Sequence, residues 1–169
     1  PENKQILNLL GTGYALKKEF TTAARYYLRI ISLDAKNVDA HTNLAGVHIQ
    51  TGKYKEAIPL LEIVVTSNPS YVYGYVLYAR ALTLIGSKDD ALLQYYCALR
   101  LNMEDEKILF EIGKILQELS YVPATEIVYQ QCIANNKNNI DPYINLSSLY
   151  YSTENYDAAL RVAEQAVTL

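Results

Sequence analysis

A fixed repeat of about 34 residues runs through this chain of 169 residues and constrains its fold more than any other feature. A large residue followed by a small one recurs at this interval, at Leu10-Gly11, Leu44-Ala45, Tyr78-Ala79, Ile112-Gly113 and Leu146-Ser147. Thirteen residues after each large residue stands a small one, at Ala23, Ala57, Ala91, Thr125 and Ala159. A period of this length is typical of units that cannot bury an apolar face alone and therefore stack on one another. Such chains usually hold other proteins and seldom perform chemistry.

The apolar spacing inside each unit is that of an amphipathic helix. In the second unit, Leu44, Val47 and His48 share one helical face, and Gly52-Lys53 interrupts the pattern. A second amphipathic run follows and ends at Pro69, because proline cannot continue a helix. Each unit is therefore predicted to be two helices of about 12–14 residues joined by a tight turn.

Two local features conflict with this pattern. Residues 71–78 alternate β-branched and aromatic side chains and resemble a strand, but the repeat places them at the start of a helix, and we predict a helix. Pro59 lies a few residues inside a predicted helix, where we expect one lost backbone hydrogen bond or a mild kink.

The repeated positions resemble the tetratricopeptide repeat (TPR), whose signature combines a large residue, a small residue and a tyrosine in the first helix with a glycine turn and an alanine in the second. The second unit carries this pattern at Leu44, Ala45, Gly52, Tyr54, Ala57, Val64 and Pro69. The resemblance covers residues 4–169 and implies repeats at 4–37, 38–71, 72–105, 106–139 and a truncated 140–169. It implies an all-α fold, a right-handed α-solenoid of antiparallel helix pairs in which the first helices line a concave groove.

Charge and hydropathy exclude several classes of function. A net charge of −3 argues against a nucleic-acid footprint, which needs clustered Lys and Arg, and against binding to an anionic membrane surface. No apolar run approaches the roughly 18 residues of a membrane span. We expect no catalytic residues, no metal and no cofactor.

The resemblance implies a partner protein, bound in the groove as a peptide or a helix. The groove positions of the first two repeats are polar and the remainder are mixed, except for an apolar and aromatic centre formed by Tyr73, Val76, Leu77 and Phe110. The candidate binding residues are Asn8, Thr12, Asn43, Tyr73, Val76, Leu77, Arg80, Phe110, Glu111, Lys114, Asn145 and Tyr151.

Two known groove chemistries of the family can be compared with these positions. Co-chaperones that grip acidic C-terminal tails use a clamp of Lys, Asn, Asn, Lys and Arg, and only Asn43 matches it here. Without those cations a carboxylate tail lacks charge-assisted partners, so we expect this function to be absent. An asparagine ladder that binds a ligand's backbone is matched at Asn43 and Asn145 and interrupted between them.

The histidines and cysteines are interpreted as packing residues. His41 and His48 lie seven residues apart on one helical face, but no third ligand is in phase with them. Cys97 and Cys132 fall in the second helices of different repeats, and we expect free thiols.

The leading hypothesis is a protein-interaction scaffold. The alternatives are the substrate-recruiting arm of a larger enzyme, such as a glycosyltransferase, and a dedicated secretion or assembly chaperone. The last helix is apolar and has no polar capping helix after it, so we expect further repeats or self-association through it. We expect a cytoplasmic location, with the nucleus as an alternative.

Overall fold

The computed structural model of the protein describes residues 3–101 and 104–169, and within them it is built of α-helices without a β-strand. The ten helices of this part of the chain form five consecutive pairs and confirm the predicted all-α fold. The first helix of each pair begins at a predicted repeat start. The helices are α1 (Lys4–Leu16), α2 (Phe20–Leu33), α3 (Val38–Gln50), α4 (Tyr54–Ser67), α5 (Val72–Leu84), α6 (Lys88–Leu101), α7 (Glu106–Glu118), α8 (Val122–Asn135), α9 (Ile140–Ser152) and α10 (Tyr156–Val167).

The strand-like stretch at 71–78 is helical, as the repeat predicts, because α5 begins at Val72. Tertiary packing at repeated positions here prevails over local β-propensity. α4 continues through Pro59, which lies inside the helix without ending it. Pro123 stands in the first turn of α8, where a missing N–H has no partner to lose.

Side-chain caps define where four of the first helices begin. Asn3, Asn37, Asp105 and Asn139 stand at the N-cap positions of α1, α3, α7 and α9, and each accepts a hydrogen bond from a backbone N–H of the first turn. These side chains satisfy donors that have no partner within the helix. All four caps stand directly before the first residue of their repeat, so a capping Asn or Asp marks the start of these repeats in the sequence.

The turns between the two helices of each pair share one backbone conformation. Lys18, Gly52, Gly86, Ser120 and Glu154 occupy equivalent positions and have φ angles of 62°, 76°, 84°, 63° and 62°. This left-handed region favours glycine and costs energy for any residue that carries a Cβ. Three of the five turns therefore adopt it without glycine, including the turn of the fourth repeat.

The chain divides into two compact units, Pro1–Ala98 and Leu99–Leu169. The first unit contains two apolar clusters, one formed by α2 with α3 and one by α3, α4 and α5. The second unit is centred on Tyr129, Leu146 and Leu149. The five repeats as one continuous domain stay a prediction.

Candidate functional site

The polar groove positions of the first unit lie on α1 and α3, and two of them meet. The Asn43 side-chain amide donates to Asn8 Oδ1 at 2.9 Å, which joins the first two repeats across their first helices. Thr12 is exposed one turn further along α1, and its hydroxyl lies 3.3 Å from the Tyr27 hydroxyl. These three residues form a neutral surface of amides and a hydroxyl.

The aliphatic centre expected on α5 is absent from the surface, and this part of the prediction is wrong. Val76 is 0% exposed and Leu77 is 5% exposed. Leu77 packs in the same cluster as Ala57 and Leu61 of α4. A first helix inside a repeat array packs against the second helix of the preceding repeat as well as its own, so it buries a wider arc than a single amphipathic stripe.

Tyr73 and Arg80 are the candidate residues of α5 that reach the surface. Tyr73 is 42% exposed, and its ring meets that of Tyr71 edge to face with centroids 6.4 Å apart. Arg80 lies seven residues later, two helical turns along the same face, and is exposed. The two accessible candidate residues of α5 are therefore an aromatic ring and a cation.

Two candidate residues of α7 in the second unit, Phe110 and Lys114, form a pair of aromatic ring and cation. Phe110 is partly buried, with its ring centroid 6.0 Å from that of Tyr129. The Lys114 ammonium stands 6.0 Å from the Phe110 ring centroid, within the range of a cation–π contact. Glu111 directly follows Phe110 in the sequence and is partly buried, whereas Lys114 is exposed. Phe110 therefore belongs as much to the core as to the surface.

Asn145 and Tyr151 of α9 differ in their surroundings. The Tyr129 hydroxyl donates to Gln117 Oε1 at 2.9 Å. Burial raises the pKa of Tyr129 to about 12, although the nearby Asn145 side chain opposes the shift. Tyr151 is 68% exposed and contacts the ring of Tyr156 edge to face at 5.6 Å.

A pocket between α9 and α10 was not predicted from the sequence. It has a volume of about 520 Å³ and a mostly apolar lining that includes two serines and two tyrosines. Its residues are Ser147, Ser148, Tyr151, Tyr156, Ala159, Leu160 and Ala163. Of these, Tyr151 alone was a candidate. The signal that could have revealed the pocket is Ala163, which stands where the other repeats carry a large residue.

His41 lies in the core, and His48 lies between core and surface. His41 is 2% exposed, and its Nδ1 lies 2.8 Å from the carbonyl oxygen of Asn37. His48 is half-buried, and desolvation, together with the nearby Lys53, lowers the pKa of its ring. No group of three or more His, Cys, Asp or Glu side chains suited to a metal ion occurs within residues 3–101 and 104–169.

Both cysteines are free thiols, as predicted. Cys132 is fully buried, and burial raises the pKa of its thiol to about 11. A thiol protonated at neutral pH is a poor nucleophile.

None of the helices in the described residues is both long and apolar enough to cross a membrane.

Comparison with known proteins identifies the repeat. Models of the tetratricopeptide repeat match residues 14–70 and residues 143–169. The chain therefore carries tetratricopeptide repeats. The structure of a MamA protein has a TM-score of 0.82 at 20% identity, covering 98% of this TPR chain and 90% of that chain. YrrB, a TPR protein described as having an unusual peptide-binding site, has a TM-score of 0.74 at 18% identity over 96% of this chain and 84% of its own. These likenesses show an α-solenoid fold.

Sequence relatives cover a smaller share of the TPR chain. The Hsp70-Hsp90 organizing protein 2 of Arabidopsis thaliana is 33% identical over 78 residues, 46% of this chain and 14% of its own length. The DnaJ homolog subfamily C member 7 of Homo sapiens is 22% identical over 121 residues, 72% of this chain and 24% of its own. The TPR chain thus corresponds to between a seventh and a quarter of these two relatives.

Proposed function

We propose that this TPR chain is a protein-binding module without chemistry of its own, and that it holds a peptide or helix of its partner along the first helices. The two segments that match the tetratricopeptide repeat support binding to another protein. We propose in addition that the groove lined by the first helices is the binding face.

The observation that carries the proposal is the pair of amides on α1 and α3. The bond between them uses one donor of Asn43 and the carbonyl oxygen of Asn8. Asn43 Oδ1 and Asn8 Nδ2 make no hydrogen bond within the described residues, so the pair keeps one acceptor and one donor without a partner there. A peptide backbone presents the same two kinds of group, and amide side chains are suited to bind it independently of its sequence.

Tyr73 and Arg80 extend this surface in the first unit. An exposed tyrosine supplies apolar contact area at a low cost in conformational entropy, and arginine adds a planar set of donors. Residues of these two types carry much of the binding energy in protein interfaces. We therefore assign the strongest contacts of the first unit to α5, and the backbone contacts to α1 and α3.

Lys114, Glu111 and Tyr151 are proposed as the contacts of the second unit. They offer both signs of charge and an exposed ring, in contrast to the neutral amides of the first unit.

We further propose that the module is not a basic carboxylate clamp. The names of the Arabidopsis relatives indicate a role with Hsp70 and Hsp90, so the question arises for this chain. The five clamp positions hold Asn8, Thr12, Asn43, Tyr73 and Leu77, of which Asn43 alone fits the clamp and Leu77 is buried. No lysine or arginine stands at any of them to pair with a carboxylate.

The groove proposal is tested by affinity capture from the native source with two matched variants. Tyr73→Ala/Arg80→Ala removes a ring and a cation from α5. Ile63→Ala/Lys55→Ala removes a large apolar side chain and a cation from the exposed surface of α4, and Ile63 is 38% exposed against 42% for Tyr73. We expect the α5 variant to retain less than a tenth of the captured partner and the α4 variant to retain all of it, with equal helical content by circular dichroism. Equal capture by both variants would contradict groove binding.

The clamp proposal has its own test. A synthetic peptide with an acidic C-terminal tail, titrated into the protein and followed by calorimetry, should give no saturable binding at low salt. Saturable binding that disappears when the terminal carboxylate is amidated would overturn this part.

The cytoplasmic location, and the alternatives of an enzyme's recruiting arm or a dedicated chaperone, stay predictions.

A further inference from the structure

The repeats share one packing device, a large side chain of the second helix placed against a small residue of the first. In the first repeat, a Cβ added to Gly11 would lie 2.6 Å from Tyr27 Cε1. In the fourth, a Cβ added to Gly113 would lie 2.5 Å from Tyr129 Cε1. Both rings are buried, with exposures of 2% and 0%. The equivalent residues of the second and third repeats, Leu61 and Tyr95, are also fully buried.

The fifth repeat lacks this side chain. Ala163 stands one repeat after Tyr129, and Ser147 stands one repeat after Gly113. The pocket of about 520 Å³ between α9 and α10 opens at this place, with both Ser147 and Ala163 in its wall. Its volume falls within the range of roughly 300–1,000 Å³ usual for ligand sites. The pocket therefore occupies the position that a buried ring fills in the first and fourth repeats.

The polar groups of the pocket match those around the internal rings. Ser148 is equivalent to Thr12, whose hydroxyl lies 3.3 Å from the Tyr27 hydroxyl. Tyr151 is equivalent to Gln117, whose Oε1 accepts from the Tyr129 hydroxyl at 2.9 Å. In other repeats these two positions contact the hydroxyl of a buried tyrosine. In the fifth repeat, Ser148 and Tyr151 each place there a hydroxyl that can donate or accept a hydrogen bond.

The remaining wall is apolar and uncharged. The Ser147 hydroxyl donates to the Ala159 carbonyl oxygen at 3.0 Å, so its hydrogen bond is made within the α9–α10 pair. None of the seven lining residues is Asp, Glu, His, Lys or Arg. A charged side chain would lose hydration there without a counter-charge, whereas a neutral ring would bury apolar area.

The pocket also continues an interface that the structure repeats. α2 packs on α3, α4 on α5 and α8 on α9, each second helix against the first helix that follows it in the chain. The equivalent face of α10 carries the pocket, with Leu160 62% exposed at its edge. This face therefore corresponds to an interface between repeats, but Ala163 stands where the other repeats supply a large side chain.

We propose that the α9–α10 pocket binds a tyrosine side chain of a partner protein, with its ring where Tyr27 and Tyr129 lie in their own repeats and its hydroxyl near Ser148 and Tyr151. The inference rests on the proposed function only in that the tyrosine belongs to a protein partner. It adds a second binding element, outside the amide surface of the first unit.

The test uses N-acetyl-tyrosinamide as the probe and the full chain labelled with ¹⁵N. We expect saturable shifts of backbone amide resonances in α9 and α10, with the phenylalanine analogue binding several-fold more weakly and the lysine analogue producing no shift. Weaker binding of the phenylalanine analogue would report the hydroxyl contacts. Equal shifts from the lysine analogue, or no shift from the tyrosine analogue, would overturn the proposal.

Two variants that close the pocket complete the test. Ser147→Gly/Ala163→Tyr reproduces the pair of the first and fourth repeats, and Ser147→Ala/Ala163→Leu reproduces Ala45 and Leu61 of the second. Each should weaken probe binding at least tenfold and raise the thermal midpoint, whereas Glu164→Tyr, an exposed control on α10, should leave binding unchanged. Unweakened binding in a pocket-closing variant with a raised midpoint would refute the site. The outcome is independent of the α5 variants, so failure here leaves groove binding testable.

Discussion

At the scale of single residues, the contact between glycine and ring distinguishes glycines that look alike in the sequence. Gly11 and Gly13 stand two residues apart in α1. A Cβ on Gly11 would lie 2.6 Å from the buried Tyr27 ring, whereas a Cβ on Gly13 would meet nothing within 4 Å. The packing of Tyr27, and not helix propensity, therefore requires glycine at position 11.

We predict opposite effects for the two alanine substitutions. Gly11→Ala should lower the free energy of unfolding by about 1–3 kcal/mol, because the ring must leave its packed position. Gly13→Ala should raise it by up to about 1 kcal/mol, because alanine is the better helix former and the site is open. Urea unfolding followed by circular dichroism measures both. A loss of stability in Gly13→Ala, or none in Gly11→Ala, would show that the ring contact does not determine stability.

At the scale of elements, the five turns within the helix pairs show how a repeat tolerates sequence change. The backbone adopts the left-handed conformation at each of them, with glycine at Gly52 and Gly86 and other residues at the remaining three. The geometry of the helix pair sets the turn, and the residue at the turn conforms to it. Non-glycine residues there carry a strain of about 1–2 kcal/mol.

Ser120→Gly should therefore stabilise the protein by about 0.5–1 kcal/mol, since relief of this strain exceeds the entropy that glycine adds to the unfolded chain. The reciprocal change Gly52→Ser should destabilise by a similar amount, although a Cβ at Gly52 would meet nothing within 4 Å. Thermal unfolding of the two variants beside the parent protein gives the comparison. If both substitutions shift the midpoint in the same direction, backbone strain at the turn is not the cause.

At the scale of the whole molecule, each unit is held together by contacts between near neighbours. Every helix contact described within a unit joins helices that are adjacent in the chain or one helix apart. In such arrays, stability is approximately a sum of terms for single repeats and for neighbouring interfaces. The two units, Pro1–Ala98 and Leu99–Leu169, each have a core of their own.

We expect a local defect to loosen the array locally. In native-state hydrogen exchange read by mass spectrometry, Gly11→Ala should speed exchange in α1, α2 and α3 and leave α7, α8 and α9 at the parent rate. Gly113→Ala, with its Cβ 2.5 Å from Tyr129 Cε1, should do the reverse. Faster exchange throughout the molecule in either variant would indicate a single cooperative unit instead.

The sequence predicted the architecture because a strict period carries much more information than any one segment. The start of α5 at Val72 within a strand-like stretch shows this, since the repeat overrode local propensity correctly. The same period could not predict which groove positions are accessible. Val76 and Leu77 occupy positions that the repeat assigns to the groove, yet both are buried, because the width of the buried arc depends on how closely the preceding second helix approaches.

The sequence alone thus determined the helix pairs, their boundaries and the type of repeat, since these follow from residue spacing along the chain. Tertiary structure decided which candidate residues reach the surface and where a cavity lies, since both depend on distances between helices. The pocket at Ala163 illustrates the division: the missing ring is visible in the sequence, but the pocket between α9 and α10 is visible only in the structure.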